Sequence, residues 1–287
     1  MAKPFIKYPG GKRKLLEPLL ENSPVKFKRF FEPFVGGGAL FFNLSKEYEN
    51  FTDVPRHIND LNKNIVQAYK NIKNEPEKVI ANLKSLQKNF KKRVDKSYRM
   101  NFYYSSVDGF NSLTKKGIFG PKHTALLIFL NRTGFNGMTR TNSKGDFNIP
   151  FGSYKHPKEI DTIVFEDNLM SVSEYLKNVK ITSYDYKSIF KGAKKGDFFY
   201  IDPPYTPVSK IKSFTEYNIN DFHSFDLVRL RSDVEELNRI GCYVLISINS
   251  NLYTKFLYNL WSKKSKTRFT FEEVGTIRTI NSKVKSR

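Results

Sequence analysis

Cysteine and histidine are scarce in this 287-residue chain, which contains one cysteine and four histidines. A lone cysteine, Cys242, can form neither an internal disulfide nor a thiolate metal cluster. Its strand-like surroundings, GCYVLISINS, predict a small core residue. The histidines lack the regular spacing of metal ligands. The sequence therefore predicts a protein without a metal site.

Long apolar segments are also missing. The longest, ALLIFL at 125–130, is far shorter than the roughly 20 residues that a membrane helix requires. The N-terminal stretch MAKPFIKYPGGKRK has no apolar signal-peptide core, and the triphosphate-binding motif G-x-x-x-x-G-K-[ST] does not occur. We therefore expect a cytoplasmic protein with no membrane partner and no loop of the triphosphate-binding kind.

Positive charge, in contrast, is abundant. The chain has 49 Lys and Arg residues against 28 Asp and Glu residues, a net charge of +21. Such an excess indicates a polyanionic partner, because contacts to phosphates release condensed counterions. A lysine-rich surface without a partner is the alternative. With 39% hydrophobic residues, the chain can also bury a large core.

Three short apolar segments predict buried strands of a parallel sheet, at 28–35, 197–201 and 242–248. Between the last two, residues 220–241 have the pattern of an amphipathic helix that ends at a glycine. The apolar face of this helix is predicted to contain Phe225, Val228, Val234, Leu237 and Ile240. The order strand, helix, strand implies a right-handed crossover and an α/β fold.

The middle of the chain differs in composition from both ends. Residues 71–161 are first charged and helix-forming, then rich in Gly, Asn, Ser, Lys and aromatics. We predict an inserted domain here, ending in an exposed loop or hairpin. The domain built on the sheet is then discontinuous, consisting of residues 1–70 and 162–287.

A glycine cluster follows the first predicted strand in FEPFVGGGALFFNL. Gly36, Gly37 and Gly38 would let the backbone approach a ligand at the start of a helix. Asp60, in INDLN, comes about 20 residues later, where an acidic residue suits a ribose diol. The turn is therefore predicted to bind a nucleoside whose tail is not a polyphosphate, and S-adenosylmethionine fits that description.

A second motif, YIDPPYTP, ends the strand at 197–201. Prolines cannot donate to a sheet ladder, so the strand must stop there in a rigid corner. The Asp202 carboxylate and the Pro203 carbonyl could accept hydrogen bonds from an exocyclic amine, and Tyr205 could stack on its base. This corner is predicted to be catalytic.

With these motifs the chain resembles the Dam-type DNA adenine-N6 methyltransferases of the alpha group. The resemblance also rests on PFIKYPGGKRKLL, SYDY and FLNRTGFNGMTRTNSKGDFNIPFGSYK, which occur in the family's order. It implies a Rossmann-like class I methyltransferase sheet with an inserted helical and β-hairpin DNA-recognition domain at 71–161. It also implies methyl transfer from S-adenosylmethionine to N6 of a flipped adenine in double-stranded DNA, within GATC.

The resemblance further implies three sets of residues. The catalytic residues would be Asp202, Pro203, Pro204 and Tyr205. The cofactor-binding residues would be Tyr8, Gly10, Lys12, Glu32, Pro33, Phe34, Gly36, Gly38, Asp60, Asp185, Tyr186 and Asp202. The DNA-binding residues would be Lys7, Arg132, Phe135, Asn136, Met138, Arg140, Asn142, Pro150 and Tyr154. Arg140 suits a bidentate contact to guanine, and Met138 a thymine methyl.

Several alternatives stay open at this point. Longer target sites that begin with GAT fit the loop as well as GATC does. An RNA or amide methyltransferase would share the glycine turn, although amide enzymes generally have Asn in place of Asp202. An inactive DNA-binding relative of a methylase is a third reading, and a restriction endonuclease acting on the same site is an optional partner. Family members usually continue past RTINSK into a final strand, so we expect either a shortened chain or an unusual last sheet edge.

Overall fold

The computed structural model describes residues 2–8, 12, 15–152, 165–204, 224–251, 254–255, 270 and 272–274. The strands in this part of the chain are β1 (Phe30–Glu32), β2 (Arg56–Asn59), β3 (Val179–Thr182), β4 (Phe198–Ile201) and β5 (Tyr243–Ile246). They form a parallel sheet in the order β3-β2-β1-β4-β5. This arrangement confirms the predicted α/β class.

Helices connect and cover the strands. They are α1 (Leu16–Glu21), α2 (Ala39–Glu47), α3 (Lys63–Asn74), α4 (Pro76–Lys91), α5 (Lys96–Lys115), α6 (Pro121–Thr133), α7 (Glu166–Leu176), α8 (Tyr186–Phe190) and α9 (Ser224–Ile240). A short 3-10 helix, Phe135–Gly137, follows α6. None of the helices in the described ranges is long and apolar enough to cross a membrane.

The strand order creates a topological switch at the centre of the sheet. Phe30 of β1 pairs with Arg56 of β2 on one side and with Phe198 of β4 on the other. The chain therefore continues to opposite sides of β1, and a crevice opens beyond the carboxyl ends of β1 and β4. Ligands of open α/β sheets bind in such crevices. Both predicted motifs begin at the ends of these two strands.

Two strands are shorter than predicted. The strand expected at 28–35 spans only Phe30–Glu32, because Pro33 follows directly and has no N–H for the ladder. The last strand, expected at 242–248, spans Tyr243–Ile246. β4 ends at Ile201, so the Asp-Pro-Pro corner begins directly after the sheet.

Aromatic side chains dominate the core on both faces of the sheet. On one face, the rings of Phe30 and Phe198 meet edge to face at 5.5 Å. On the other, Phe31 and Phe199 stack at 4.5 Å. Because neighbouring residues of a strand point to opposite faces, these two pairs build separate layers. Cys242, 5% exposed, belongs to the second layer, as predicted.

Helix α9 confirms the predicted helix and corrects part of its apolar face. Val228 is 39% exposed, whereas Leu227 and Leu230 are buried together with Val234 and Leu237. The buried set follows the spacing of three and four residues expected for a helix face, and Val228 lies beside it. Ile240 is half-buried, and the side chain of Phe225 lies outside the described residues.

The middle of the chain is helical, as expected. Helix α6 is buried nearly all round, with the apolar run at residues 125–130 at its centre. Its Phe129 belongs to the same apolar core as Phe30 of the sheet. The following loop is closed by antiparallel bridges between Gly134 and Phe151 and between Thr141 and Phe147. The division into two domains stays a prediction.

Candidate active site

The glycine turn after β1 rests on an aromatic ring. Gly36 and Gly38 have φ values of 45° and 68°, a region that favours glycine. A Cβ added at Gly36 would lie 2.8 Å from Cδ1 of Tyr8, and one at Gly38 would lie 2.8 Å from the hydroxyl of Tyr69. Tyr8 and Tyr69 therefore pack against one side of the turn and leave no room there for side chains at Gly36 and Gly38.

Asp60, which follows β2, holds this turn from the other strand. Its Oδ2 accepts a hydrogen bond of 2.9 Å from the Gly36 N–H, and its Oδ1 accepts one of 2.9 Å from the Asn62 N–H. Burial raises the pKa of the Asp60 carboxyl, and these backbone donors oppose that effect. Asp60 thus shapes the turn, and its predicted contact with a ribose stays a prediction.

The Asp-Pro-Pro corner after β4 carries an ion pair. Lys12 Nζ lies 2.6 Å from Asp202 Oδ1, and the two side chains are only 4% and 21% exposed. Burial raises the pKa of the Asp202 carboxyl to about 6, although Lys12 pulls it the other way. Desolvation therefore outweighs the attraction of the ammonium group. Pro203 is buried and Pro204 is exposed.

Glu32, the last residue of β1, is a third carboxyl group at this edge. It is 2% exposed, and its carboxyl accepts a hydrogen bond from the Phe41 N–H in the first turn of α2. Burial, and next the negative charge of Asp202, raise its pKa well above the ordinary value. Its Oε2 contacts no hydrogen-bond donor within the described ranges. Glu32 therefore joins β1 to α2 and adds a buried carboxyl group next to Asp202.

An aromatic wall borders the crevice on the β1 and β3 side. The ring of Phe34 lies 5.3 Å from that of Tyr186, whose hydroxyl donates to Asp233 at 3.1 Å. Asp185 is exposed and caps α8, with its Oδ1 accepting the Lys187 N–H at 3.0 Å. Asp185 and Tyr186 thus lie near the expected cofactor edge, where their binding roles stay predictions.

Sequence reasoning missed Asn59, which joins three strand ends. Its Nδ2 donates to the carbonyls of Pro33 (3.0 Å) and Tyr184 (2.9 Å). Its Oδ1 accepts from the Tyr184 N–H and from the Thr182 hydroxyl. The sequence signal was an asparagine directly before Asp60 at the end of β2, because a buried amide requires hydrogen-bond partners.

Six of the nine predicted DNA-binding residues lie on the segment after α6, residues 134–152, which we call the reading loop. Lys7 lies in the N-terminal segment and Arg132 in α6. Phe135 is 38% exposed, and Arg140 and Pro150 are exposed as well. Asn136 has φ 55°, the left-handed conformation that asparagine tolerates better than most residues. Arg140 Nε donates to Asn148 Oδ1 at 3.3 Å, while Met138 packs partly against the core.

Two other predicted DNA contacts have structural partners. Asn142 Oδ1 accepts the N–H groups of Lys144 and Asp146 and so closes the loop tip. Arg132 lies inward, with its guanidinium 4.2 Å from the centre of the Phe165 ring. Gly10, Tyr154 and Tyr205, also predicted site residues, lie outside the described residues.

Asn131, a second residue that sequence reasoning missed, joins the reading loop to the N-terminal segment. It is fully buried. Its Oδ1 accepts the Lys7 N–H at 2.9 Å, and its Nδ2 donates to the carbonyls of Lys7 (2.8 Å) and Gly137 (2.7 Å). Since Tyr8 follows Lys7 and lies under the glycine turn, Asn131 connects the two predicted sites.

No group of three or more His, Cys, Asp or Glu side chains that could hold a metal ion occurs in the described part of the chain. A parallel α/β sheet with a glycine turn and an Asp-Pro-Pro corner at its central switch defines a Rossmann-like methyltransferase. The chain belongs to the D12 class of N6 adenine-specific DNA methyltransferases, whose family model matches residues 8–280. DNA and a methyl donor are the substrates that this class implies.

Curated relatives agree with this family. The type II methyltransferase M.MjaIII of Methanocaldococcus jannaschii is 40% identical over 256 residues, 88% of this chain and 86% of the relative. The type II methyltransferase M1.LlaDCHI of Lactococcus lactis subsp. cremoris is 36% identical over 287 residues, 99% and 92% of the two chains. A DNA adenine methylase of Vibrio cholerae is 33% identical over 258 residues, 88% and 84% of the two chains.

Proposed function

We propose that this methyltransferase uses S-adenosylmethionine to methylate N6 of an adenine that is flipped out of double-stranded DNA, within GATC. The observation that carries the proposal is the buried Lys12–Asp202 pair beside the glycine turn. A buried carboxylate with a charged partner at the topological switch is a typical site for chemistry on a ligand.

The residues around the turn fit S-adenosylmethionine. The glycines at Gly36–Gly38 have no side chains of their own, so a ligand could approach their backbone from the side that Tyr8 and Tyr69 leave open. Asp60 supplies carboxylate oxygens for the ribose hydroxyls, and Phe34 with Tyr186 offers aromatic surface for the adenine ring. When bound, S-adenosylmethionine supplies an activated methyl group on a positively charged sulfur.

Asp202 and Pro203 would then orient the target amine. Lys12 occupies Oδ1 of Asp202, and no other donor among the described residues contacts this carboxylate. Oδ2 and the Pro203 carbonyl are therefore the two acceptors for the N6 hydrogens, which turns the nitrogen lone pair toward the methyl group. With a pKa of about 6, Asp202 is mainly ionised at pH 7. It can also accept the proton that N6 loses after transfer.

Base flipping follows from the position of N6 in DNA. In the duplex N6 is hydrogen-bonded inside the base stack, so a rigid protein corner cannot reach it. Extrusion of the adenine leaves a gap, and Phe135, whose side chain is exposed, would fill it. Tyr205 would stack on the flipped base.

The GATC assignment rests on the reading loop. Arg140 would contact guanine, Met138 a thymine methyl, and Lys7, Pro150 and Tyr154 the remaining edges. Lys7 and the loop are joined through Asn131, which supports their acting as one reading surface. The two type II relatives favour a cognate restriction endonuclease as a partner.

The function is tested by methylating plasmid DNA and digesting it with nucleases that are blocked by, or require, N6-methyladenine in GATC. We expect protection from the first nuclease and cleavage by the second. Asp202→Ala should abolish tritium transfer from labelled S-adenosylmethionine and leave duplex binding largely intact. Asp167→Ala, an exposed change in the first turn of α7, is the matched control. Methylation outside GATC would refute GATC as the target sequence. Retained methyl transfer by Asp202→Ala would refute the proposed role of Asp202.

A further inference from the structure

A dense group of positive charges lies where α4 ends and α5 begins. We call residues 88–99 the basic turn. Its basic residues are Lys88, Lys91, Lys92, Arg93, Lys96 and Arg99, against one acidic residue, Asp95. All of these except the half-buried Arg99 are exposed. The basic turn lies outside the residues with proposed catalytic, cofactor or base-reading roles.

Ion pairing distinguishes the basic turn from the rest of α4. Earlier on this helix, Lys78 pairs with Glu75 and Lys84 with Glu166. Within the described ranges, no carboxylate pairs with Lys88, Lys92, Arg93 or Lys96. Asp95 instead caps α5 by accepting the Tyr98 N–H at 2.7 Å. Among the described residues, these four positive charges therefore lack a carboxylate partner.

Helix stability does not account for this arrangement. Cations at the end of α4 are favourable, since the helix dipole is negative there. At the start of α5 the dipole is positive, yet the first turn contains Lys96 and no acidic residue. The positive charges of the basic turn repel one another, and Lys96 also lies at the positive end of the α5 dipole. Such an arrangement favours an anionic partner.

The basic turn is joined to the reading loop by aromatic packing. The Phe90 ring, inside the turn, lies 6.2 Å from that of Phe151, and the Arg99 guanidinium lies 5.5 Å from the centre of the Phe90 ring. Phe151 directly follows Pro150, whose carbonyl accepts the Phe135 N–H at 2.9 Å. The basic turn therefore lies close to the reading loop.

We propose that the basic turn binds backbone phosphates of duplex DNA that flank the target site. The inference deepens the proposed function and rests on it for the position of the target. Phosphate contacts of this kind set the affinity and the position of the protein without reading sequence. A bound polyanion would also compensate the charges that the protein leaves unpaired.

The test is a triple substitution, Lys88→Gln, Lys92→Gln and Arg93→Gln, compared with wild type in binding to duplex DNA at several salt concentrations. Loss of up to three phosphate contacts should reduce the slope of log affinity against log salt by about 2–3. The matched control is Lys191→Gln, Lys194→Gln and Lys195→Gln, three exposed lysines near the opposite, amino-terminal end of β4. This control should leave the slope almost unchanged.

Duplex length separates flanking contacts from contacts at the target. Wild type should bind more tightly when a short target duplex is extended by about 10 base pairs, one helical turn, on each side, and the triple variant should lose most of that gain. Methyl transfer on the short duplex should stay near wild type. An unchanged salt slope, an equal loss in the lysine control, or an undiminished gain with length would overturn the proposal. Because the readout is binding, an inactive wild type that still shows these effects would refute the proposed function and leave the surface intact.

Discussion

Replacing Lys12 with methionine should move the acid limb of the pH–activity profile upward. In the proposed mechanism the ionised Asp202 carboxylate accepts the hydrogen bonds from N6, so activity should be lost as the pH falls through its pKa, which is about 6. The only charged partner of this carboxylate in the described part of the chain is Lys12, at 2.6 Å. Without the ammonium group, the rise in the Asp202 pKa that burial causes is no longer opposed by Lys12.

The magnitude follows from that contact. An opposite charge within a few ångströms lowers a carboxyl pKa by about 1–3 units. Its removal should therefore shift the limb upward by about 1–3 pH units, and activity at pH 7 should fall by about two- to a hundredfold. Because the change affects protonation, activity should recover as the pH is raised.

The assay is tritium transfer to a GATC duplex across a pH series. It should use saturating S-adenosylmethionine, since Lys12 is also a predicted cofactor contact. Lys12→Arg keeps the charge and should keep the limb near its original position. Lys3→Met changes an exposed lysine of the N-terminal segment and controls for the loss of a positive charge. An acid limb in Lys12→Met that coincides with that of wild type would refute the proposed dependence on Asp202 ionisation.

Two further substitutions test the supports of the site. Gly36→Ala should lower the free energy of unfolding by about 1–3 kcal/mol and weaken cofactor binding in calorimetry, because its Cβ would meet Tyr8 at 2.8 Å; Gly192→Ala, with open space around it, should change neither. Asn131→Ala should lower the free energy of unfolding by about 2–4 kcal/mol in denaturant titrations and reduce the preference for GATC over sites altered by one base pair. Asn82→Ala, which removes one exposed hydrogen bond, is its control, and an unchanged preference in Asn131→Ala would contradict the coupling of the two sites.

Local features of the site were predictable because they depend on neighbouring residues. Proline has no N–H, so the positions of Pro33 and Pro203 require the strands to end where the motifs begin. The glycines after β1 predicted a close backbone approach, and Gly36 and Gly38 do have positive φ. Hydrophobic periodicity likewise predicted α9, although it assigned Val228 to the buried face.

Contacts between distant parts of the chain were not predictable in this way. Spacing along the chain does not indicate that Lys12 pairs with Asp202, that Asp60 bonds to Gly36, or that Asn131 fastens Lys7.

The amino-acid sequence by itself determined the elements of this methyltransferase: the α/β class, the glycine turn and the Asp-Pro-Pro corner. Only the tertiary structure decided which side chains meet at the crevice and how burial sets their charge. The reason is physical. Turn and strand preferences arise within a few bonds, whereas ion pairing and desolvation depend on which surfaces the folded chain packs together.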